Sequence, residues 1–290
     1  MASYKTYYFE RDDSVQLSNV TKGFLELHDG SVTFQSQTVA GTCTVIYNEN
    51  NRIALLTCAH VVDFADTMIT RYRGADFRPS PFLRSIAFKT NQLMFLNEVG
   101  GGISVDILAF DRVADLAILG QRLEPSRTIF APVFRYPIGK SRELEWGSFV
   151  YLFGYPGGYR MVTKGIVSLP RTAQGSFLVD AVVSPGASGS IALAIRDGVP
   201  NFELVGMVKM VPGQTSYLLT PSRTQQWEYD PEEPYHGETF VQRKSEIQQG
   251  IAIAIPTETI IEFVENNRAA LLKKWYDLST WIHPTARQPK

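Results

Sequence analysis

The chain has 290 residues, 44% of them apolar and 20% charged, a composition that is typical of a globular protein and excludes a largely disordered one. Its 28 basic residues nearly balance 29 acidic ones, so the formal net charge is −1 and binding dominated by nucleic-acid phosphates is not expected. No apolar run approaches the roughly 18 residues of a membrane-spanning helix, so no membrane span is predicted.

The N-terminal segment, MASYKTYYFERDD, lacks the apolar core of a secretory signal peptide. We therefore expect a cytoplasmic protein if the chain begins here, and a periplasmic or cell-envelope protein if a signal has been trimmed. A short helix is predicted next, over residues 13–22.

Short runs rich in β-branched and aromatic residues, bounded by Gly, Pro, Asn or Asp, follow along most of the chain and predict β-strands. Little helical periodicity separates them, so we predict an all-β barrel or sandwich. The predicted strands cover residues 23–27, 31–38, 42–47, 53–58, 107–110, 116–119, 149–153, 164–169, 176–183, 191–195 and 204–210.

Two longer stretches, residues 63–102 and 212–249, depart from this pattern and are predicted to be surface insertions. One strong helix is predicted late, over residues 257–275, because a single stripe carries apolar side chains there. The stripe consists of Ile260, Val264, Leu271 and Trp275. Pro256 before this helix and Pro284 after it are typical boundary residues.

The two cysteines, Cys43 and Cys58, are too few for a disulfide scaffold or a four-ligand zinc site. They lie on two apolar runs that are joined by a turn-rich segment, which predicts a β-hairpin. If the turn is centred at Asn50 and Asn51, the two cysteines face each other across the strands. The sequence is then compatible with either two packed buried thiols or a disulfide.

Three residues of the types used in nucleophilic catalysis lie at the ends of predicted strands or in a tight turn. His60 ends the apolar run LLTCAH, Asp115 opens a strand in DRVADLAILG, and Ser188 lies within SPGASGSIAL. Gly186 and Gly189 allow a turn that exposes the Ser188 hydroxyl and directs backbone N–H groups to one point. Taken singly, each residue has a simpler explanation as a structural histidine, a turn aspartate or a glycine-rich turn.

The order of these residues along the chain narrows the choice, because catalytic triads occur in three known orders on unrelated folds. The α/β-hydrolase order requires a late histidine, His236 or His283, and the subtilisin order requires an earlier aspartate. Both also need an α/β framework that this chain does not predict. Only the order His60, Asp115, Ser188 agrees with an all-β fold.

Five segments resemble the trypsin-like serine proteases, in particular the bacterial HtrA/Deg branch, and they occur in the same order. They are GTCTVIYNENNRIALLTCAHVV, VDILAFDRVADLAILG, YLFGYPGGYRMVTKGIVSLPR, DAVVSPGASGSIAL and GIAIAIPTETIIEF. The resemblance implies a single protease domain with two six-stranded antiparallel β-barrels and a C-terminal α-helix. The expected boundaries are residues 13–120 and 121–256 for the barrels and 257–283 for the helix.

By this resemblance Ser188 is the nucleophile, His60 the general base and Asp115 the carboxylate that orients the histidine. The backbone N–H groups of Gly186 and Ser188 would form the oxyanion hole. Secreted trypsins carry an acid at the position of Ala187 that pairs with a newly cut N-terminus, so no activation cleavage is expected here. The residues that follow the second barrel are too few for the PDZ domain that many Deg proteases carry.

The same resemblance places Val182 at the base of the primary specificity pocket and Val211 and Gly250 on its walls. Without an acid at the base, a small to medium apolar side chain is the expected guest rather than Lys or Arg. The insertion at residues 212–249 begins and ends at these walls, so it is either a lid or exosite beside the substrate cleft or a solvent-exposed loop.

The expected function is therefore a serine endopeptidase that cleaves a protein or peptide substrate through an acyl-enzyme, with no cofactor and no metal. Two alternatives remain open: a catalytically idle binding module with the same fold, and an esterase or acyl transferase that uses the same triad. The sequence does not determine the oligomeric state.

Overall fold

The computed structural model describes residues 1–28, 32–73, 79–97, 102–124, 132–195, 201–210, 213–221, 239–247 and 250–283. The α-helices are α1 (Lys22–Leu27), α2 (Ala59–Val62), α3 (Thr257–Lys273) and α4 (Ser279–Ile282). The strands are β1 (Ala2–Tyr8), β2 (Val32–Gln37), β3 (Thr44–Glu49), β4 (Arg52–Thr57), β5 (Thr67–Arg73), β6 (Pro79–Gln92), β7 (Phe95–Leu96), β8 (Ile103–Ser104), β9 (Asp106–Asp111), β10 (Leu116–Arg122), β11 (Phe149–Gly154), β12 (Met161–Leu169), β13 (Phe177–Asp180), β14 (Ile191–Ile195), β15 (Phe202–Met210), β16 (Gly213–Pro221), β17 (Thr239–Ile247) and β18 (Ile251–Pro256).

The chain forms two compact units. Unit 1 consists of Met1–Arg135 and Ile261–Lys290, and unit 2 consists of Tyr136–Ile260. The division after Arg135 lies later in the chain than the expected boundary after residue 120. Among the described residues, no helix is both long enough and apolar enough to cross a membrane.

Unit 1 contains two four-stranded antiparallel sheets, with the strand orders β2-β1-β6-β5 and β3-β4-β10-β9. The prediction that residues 63–102 form a surface insertion is wrong, because they contain β5, β6 and β7. Strand β6 buries Leu83, Ile86 and Ala87, and it pairs with β1 near the N-terminus of the chain. Strand β1 itself was not predicted. Pairing between segments so far apart leaves no local signal in the sequence.

The strand predicted at residues 23–27 is a helix, α1. Thr21 precedes it with an extended backbone, and its side-chain oxygen accepts a hydrogen bond from the Phe24 backbone N–H at 3.2 Å. This N-cap satisfies one of the N–H groups that the first helical turn leaves without an intrahelical partner. The capping residue therefore outweighs the β-like composition of the segment.

Unit 2 is a closed six-stranded barrel with the order β11-β12-β13-β18-β15-β14. Valine and alanine dominate its interior, since a barrel of this size leaves room only for small side chains. The buried residues include Val150, Val167, Phe177, Val179, Ala192, Ala194, Val205, Ala252 and Ala254. The all-β class, a six-stranded barrel and the C-terminal helix are confirmed, while the described strands of unit 1 are arranged as two four-stranded sheets and the two-stranded sheet β7-β8.

The hairpin of β3 and β4 turns at the predicted place, since Asn50 and Asn51 have φ values of 52° and 57° between the paired residues Glu49 and Arg52. A bulge between Val45 and Tyr47 then shifts the register by one residue. Continued to the strand ends, this register places Cys43 opposite Thr57 and not opposite Cys58. The two cysteines are not joined by a disulfide.

The stretch predicted as a second insertion, residues 212–249, contains a hairpin. Strands β16 and β17 pair antiparallel from Gly213 with Ile247 to Pro221 with Thr239. The aromatic residues of this stretch, Trp227, Tyr229 and Tyr235, lie outside the described residues. The insertion connects β15 to β18, which are themselves paired in the barrel.

Helix α3 ends two residues earlier than predicted, at Lys273. Trp275 has a φ of 68° and is 73% exposed, so it lies outside the apolar stripe to which it was assigned. The N–H of Trp275 bonds to the carbonyl of Leu272 and that of Tyr276 to the carbonyl of Leu271. This is a Schellman end, and the buried Tyr276 follows it.

We expect Gly206→Ala to destabilise unit 2. A Cβ at this buried β15 position would lie 2.5 Å from the Ile255 carbonyl oxygen and 2.7 Å from the ring of Phe177, which is 1% exposed. Overpacking of this kind costs about 1–3 kcal/mol of unfolding free energy. Gly23→Ala in α1 is the control, because nothing lies within 4 Å of its Cβ and alanine favours helix by roughly 0.5–1 kcal/mol. Urea denaturation measures the unfolding free energy of both variants. An equal change in the two would show that crowding at Gly206 does not affect stability.

Candidate active site

His60 lies in the short helix α2, directly after the buried strand β4. Strand β4 pairs with β3 on one side and with β10 on the other, so its end is fixed on both sides. The neighbours of His60 in the chain, Cys58 and Ala59, are 0% and 1% exposed. The imidazole itself is 42% exposed, so β4 delivers a reactive ring to the surface from a rigid, buried support.

Asp115 ends the turn between β9 and β10. The side chain of Asp111 shapes this turn, because its Oδ1 accepts hydrogen bonds from the backbone N–H groups of Val113 at 2.7 Å and Ala114 at 3.0 Å. Asp115 has a φ of 58°, in the left-handed region that aspartate tolerates better than most residues. This conformation directs a nearly buried carboxylate, 6% exposed, towards α2.

Asp115 accepts three hydrogen bonds from the residues around His60. Its backbone carbonyl accepts from the N–H of Ala59 at 3.1 Å, and its Oδ1 accepts from the N–H of His60 at 2.8 Å. Its Oδ2 lies 2.8 Å from Nδ1 of the His60 ring. A carboxylate can only accept, so this last bond assigns the ring proton to Nδ1 and makes Nε2 the proton-accepting nitrogen.

An ion pair supports the same arrangement at its exposed edge. Arg112, in the β9–β10 turn, donates to both carboxylate oxygens of Asp63 at 2.7 and 2.9 Å. The backbone N–H of Asp63 in turn bonds to the carbonyl of Ala59 at the end of α2. The hydrogen bond from Arg112 holds the pKa of Asp63 below its usual value. No sequence signal pointed to this pair, which depends on the turn and α2 lying side by side.

Ser188 is half-buried in the loop between β13 and β14 of unit 2. Backbone hydrogen bonds fix this loop on both sides of the serine. The N–H of Ala187 bonds to the carbonyl of Ser184, and the N–H of Gly189 bonds to the carbonyl of Val208 in β15 at 2.8 Å. Ser188 is therefore held next to the barrel wall.

Gly186 and Gly189 have the positive φ values that a tight turn around Ser188 requires, 97° and 90°. At Gly186 space is limiting as well, because a Cβ there would lie 2.6 Å from the backbone oxygen of Tyr155. A further hydrogen bond joins the N–H of Gly157 to the carbonyl of Pro185 at 2.8 Å. The segment around Tyr155 thus packs directly against the turn that precedes Ser188.

Two of the three residues predicted to line a specificity pocket lie within the described residues. The N–H of Ala181 bonds to the carbonyl of Gly250 at 3.0 Å, so the segment that carries Val182 runs beside Gly250. Val182 is 71% exposed. Gly250 has a φ of 97°, and among the residues that the structure describes no atom lies within 4 Å of its Cβ position. Val211 lies outside the described residues.

One neighbour of the pair was not predicted to belong to the site. Cys58, His60 and Asp115 each offer one metal-ligating atom, and these atoms all lie within 4.8 Å of one another. The signal in the sequence was the position of Cys58 two residues before His60. Burial raises the pKa of the other thiol, Cys43, to about 11, which keeps it protonated at neutral pH.

Residues 41–207 match the family described as the trypsin-like peptidase domain, and this range is more than half of the 290 residues. The chain belongs to the trypsin-like peptidase domain family. The matched range of this peptidase domain contains His60, Asp115 and Ser188. None of the curated proteins matches the chain.

Similar solved structures include the HtrA-type protease AlgW with a tripeptide, at 19% identity and a TM-score of 0.45 over 92% of this chain and 60% of that chain. Another is the HtrA-type protease AlgW with a decapeptide, at 18% identity and a TM-score of 0.44 over 90% of this chain and 62% of that chain. The peptidase-domain chain thus spans about three fifths of the length of these proteins.

We expect Gly186→Ala to be more damaging than Gly175→Ala in the peptidase domain. Both residues have a positive φ, 97° and 82°, so an alanine at either position costs roughly 1–2 kcal/mol of backbone strain. Only Gly186 also meets a backbone oxygen, whereas nothing lies within 4 Å at Gly175. Urea denaturation measures the two losses, and hydrogen exchange of the amides in residues 184–190 should increase only for Gly186→Ala. Equal losses with unchanged exchange would mean that the contact with Tyr155 does not shape the Ser188 loop.

Proposed function

We propose that this protein is a serine endopeptidase with the triad His60, Asp115 and Ser188. The observation that carries the proposal is the hydrogen-bonded pair of His60 and Asp115, in which an exposed imidazole is oriented by a nearly buried carboxylate. This is the arrangement that a general base of the trypsin-like family requires. The family match supports the choice of Ser188, because it contains this serine together with the pair.

In the proposed reaction, Oγ of Ser188 attacks the carbonyl carbon of the scissile peptide bond while Nε2 of His60 takes the hydroxyl proton. Asp115 keeps the other ring proton on Nδ1 and stabilises the imidazolium that forms. His60 then gives its proton to the leaving amine, and an acyl-enzyme remains on Ser188. Water, activated by His60, hydrolyses the ester in a second passage through the same steps.

The negative charge of each tetrahedral intermediate would be stabilised by the backbone N–H groups of Gly186 and Ser188. Each such donor contributes roughly 3–4 kcal/mol to the transition state in enzymes of this mechanism. The backbone of the loop around Ser188 supports this assignment. The φ of 97° at Gly186 is a conformation that a side chain would disfavour, and hydrogen bonds anchor the loop at Ala187 and Gly189.

Ser188→Ala should abolish peptide cleavage, by at least about 10⁴-fold, and leave the fold intact, because the hydroxyl forms the covalent bond and contributes little packing. Asp115→Asn should reduce the rate by about 10⁴-fold, since an amide favours the wrong ring tautomer. The measurements are peptidase assays and labelling by a fluorophosphonate probe. Ser184→Ala, in the same loop, and Asp106→Asn, on β9, are the matched controls and should remain active.

Cleavage that persists in a purified Ser188→Ala chain would contradict the assignment of the nucleophile. If Asp106→Asn, and not Asp115→Asn, reduced the cleavage rate by about 10⁴-fold, the assignment of Asp115 as the acid would be wrong. Absence of both labelling and cleavage in the unmodified chain would favour the idle binding module. Labelling with turnover of esters but not of peptides would favour the esterase.

For the substrate, we propose a protein or peptide with a small to medium apolar side chain before the scissile bond. The base residue assigned by the family resemblance, Val182, carries no charge that would attract Lys or Arg. At Gly250, no atom of the described residues lies within 4 Å of the Cβ position. An apolar pocket separates side chains that differ by one methylene by only about 10–200-fold, so the preference should be graded.

Cleavage-site profiling on an unstructured protein, with the Ser188→Ala chain as background, should show enrichment of small and medium apolar residues before the cut. Val182→Asp should increase the rate of cleavage after Lys and Arg by roughly tenfold or more, because it introduces a negative charge beside the substrate side chain. Val162→Asp, at an exposed position on β12, is the control and should leave the profile unchanged. A profile dominated by Lys and Arg in the unmodified chain would contradict the proposal.

The same profiling tests the hairpin of β16 and β17 as a substrate-contacting element. Replacing residues 213–247 with a short Gly/Ser linker should alter the profile if the hairpin contacts the substrate, while Ser188 still reacts with the small fluorophosphonate. An identical profile for the shortened chain would leave the hairpin without a role in specificity.

A further inference from the structure

The thiol of Cys58 has no role in the proposed peptidase reaction, yet it lies at the catalytic pair. Its sulfur is within 4.8 Å of the ligating atoms of both His60 and Asp115. Cys58 is fully buried and directly precedes α2. The packing around it therefore fixes the position of its sulfur. A thiol, an imidazole and a carboxylate therefore converge on one point.

We propose that Cys58, His60 and Asp115 form an inhibitory binding site for a soft divalent cation of the Zn²⁺ type. Binding of the ion needs only these three side chains of unit 1, whereas the inhibition rests on the proposed peptidase function. The donor set decides the class of ion. Sulfur and imidazole nitrogen suit Zn²⁺ and related ions, while Mg²⁺ and Ca²⁺ require oxygen ligands.

The distances fit such an ion after small side-chain movements. Ligand atoms at about 2.0–2.3 Å from a tetrahedral Zn²⁺ lie roughly 3.3–3.8 Å apart. In the structure the separation of His60 Nδ1 and Asp115 Oδ2 is 2.8 Å, and no separation within the cluster exceeds 4.8 Å. Shifts of about 1 Å would bring all three atoms into range. The three side chains supply three ligands of a tetrahedral ion, and a water molecule would be the fourth.

The chemistry of binding explains why the ion would inhibit. The Cys58 thiol loses its proton to solvent and becomes a thiolate ligand. The ring proton of His60 moves from Nδ1 to Nε2, so that the Nδ1 lone pair binds the ion beside Oδ2 of Asp115. A histidine with its proton on Nε2 cannot accept the proton of Ser188. Inhibition would thus be reversible, because removal of the ion restores the original tautomer.

The binding test uses the Ser188→Ala chain, which retains the three ligands and is independent of peptidase activity. Titration with Zn²⁺ by calorimetry should show one ion per chain, and Cd²⁺ should produce a thiolate-to-metal charge-transfer absorption. Adding Cys58→Ser or Cys58→Ala should weaken binding by more than about 100-fold, because loss of a group that only supports a ligand already costs 10–100-fold. Cys43→Ala is the matched control and should bind as tightly as the parent.

The inhibition test uses chains that keep Ser188. Zn²⁺ should suppress fluorophosphonate labelling, and EDTA should restore it. At the same Zn²⁺ concentration, the Cys58→Ala chain should still be labelled, provided that its thermal melting shows an intact fold. Zn²⁺ binding that is the same with and without Cys58, or no binding to the Ser188→Ala chain, would overturn the proposal.

The two proposals fail separately. If the chain binds Zn²⁺ through Cys58 but is not labelled even after EDTA treatment, the metal site stands and the peptidase function fails. If labelling is normal and Zn²⁺ suppresses it equally in the Cys58→Ala and parent chains, the peptidase stands and the assigned site is wrong.

Discussion

The carboxylate of Asp115 holds together two segments of unit 1 that are 55 residues apart in the chain. It accepts hydrogen bonds from the backbone and from the ring of His60, and it is only 6% exposed. A buried carboxylate without partners is costly, whereas hydrogen bonds to a charged group contribute about 1.5–3 kcal/mol each. Separation of the β9–β10 turn from α2 would leave this charge without partners. The geometry of the base is therefore tied to the stability of unit 1.

The backbone of Asp115 shows how the fold offsets local strain at this point. A left-handed conformation in a residue other than glycine costs roughly 1–2 kcal/mol. Asn50 and Asn51 adopt the same region in a hairpin turn, where the geometry of the turn itself requires it. At Asp115 the conformation aims the side chain at His60, and the hydrogen bonds that result offset the strain. Strain of this kind is characteristic of functional sites.

How much of the fold and of the site could be predicted depended on whether the signal was local. The Asn50–Asn51 turn, the barrel strands β11 to β15 and helix α3 carry their own patterns and were predicted, whereas strand β18 was not. The triad is proposed from chain order, which limits the choice among known triads. Sheet β2-β1-β6-β5 was missed, because β6 pairs with the N-terminal strand and no nearby segment indicates that pairing. The bulge between Val45 and Tyr47 was also missed, and with it the true register of the cysteines.

The arrangement of the barrel explains how this chain carries a long insertion without loss of the fold. Strands β15 and β18 are paired neighbours, and the insertion of residues 212–249 leaves one and returns to the other. Its ends are thus already held together, and lengthening a loop between fixed ends costs only about 0.6 kcal/mol per doubling. The Ser188 loop is anchored elsewhere, on Val208 within β15 and at Gly157. Variation in the insertion therefore changes the surroundings of Gly250, while the hydrogen bonds that place the nucleophile stay the same.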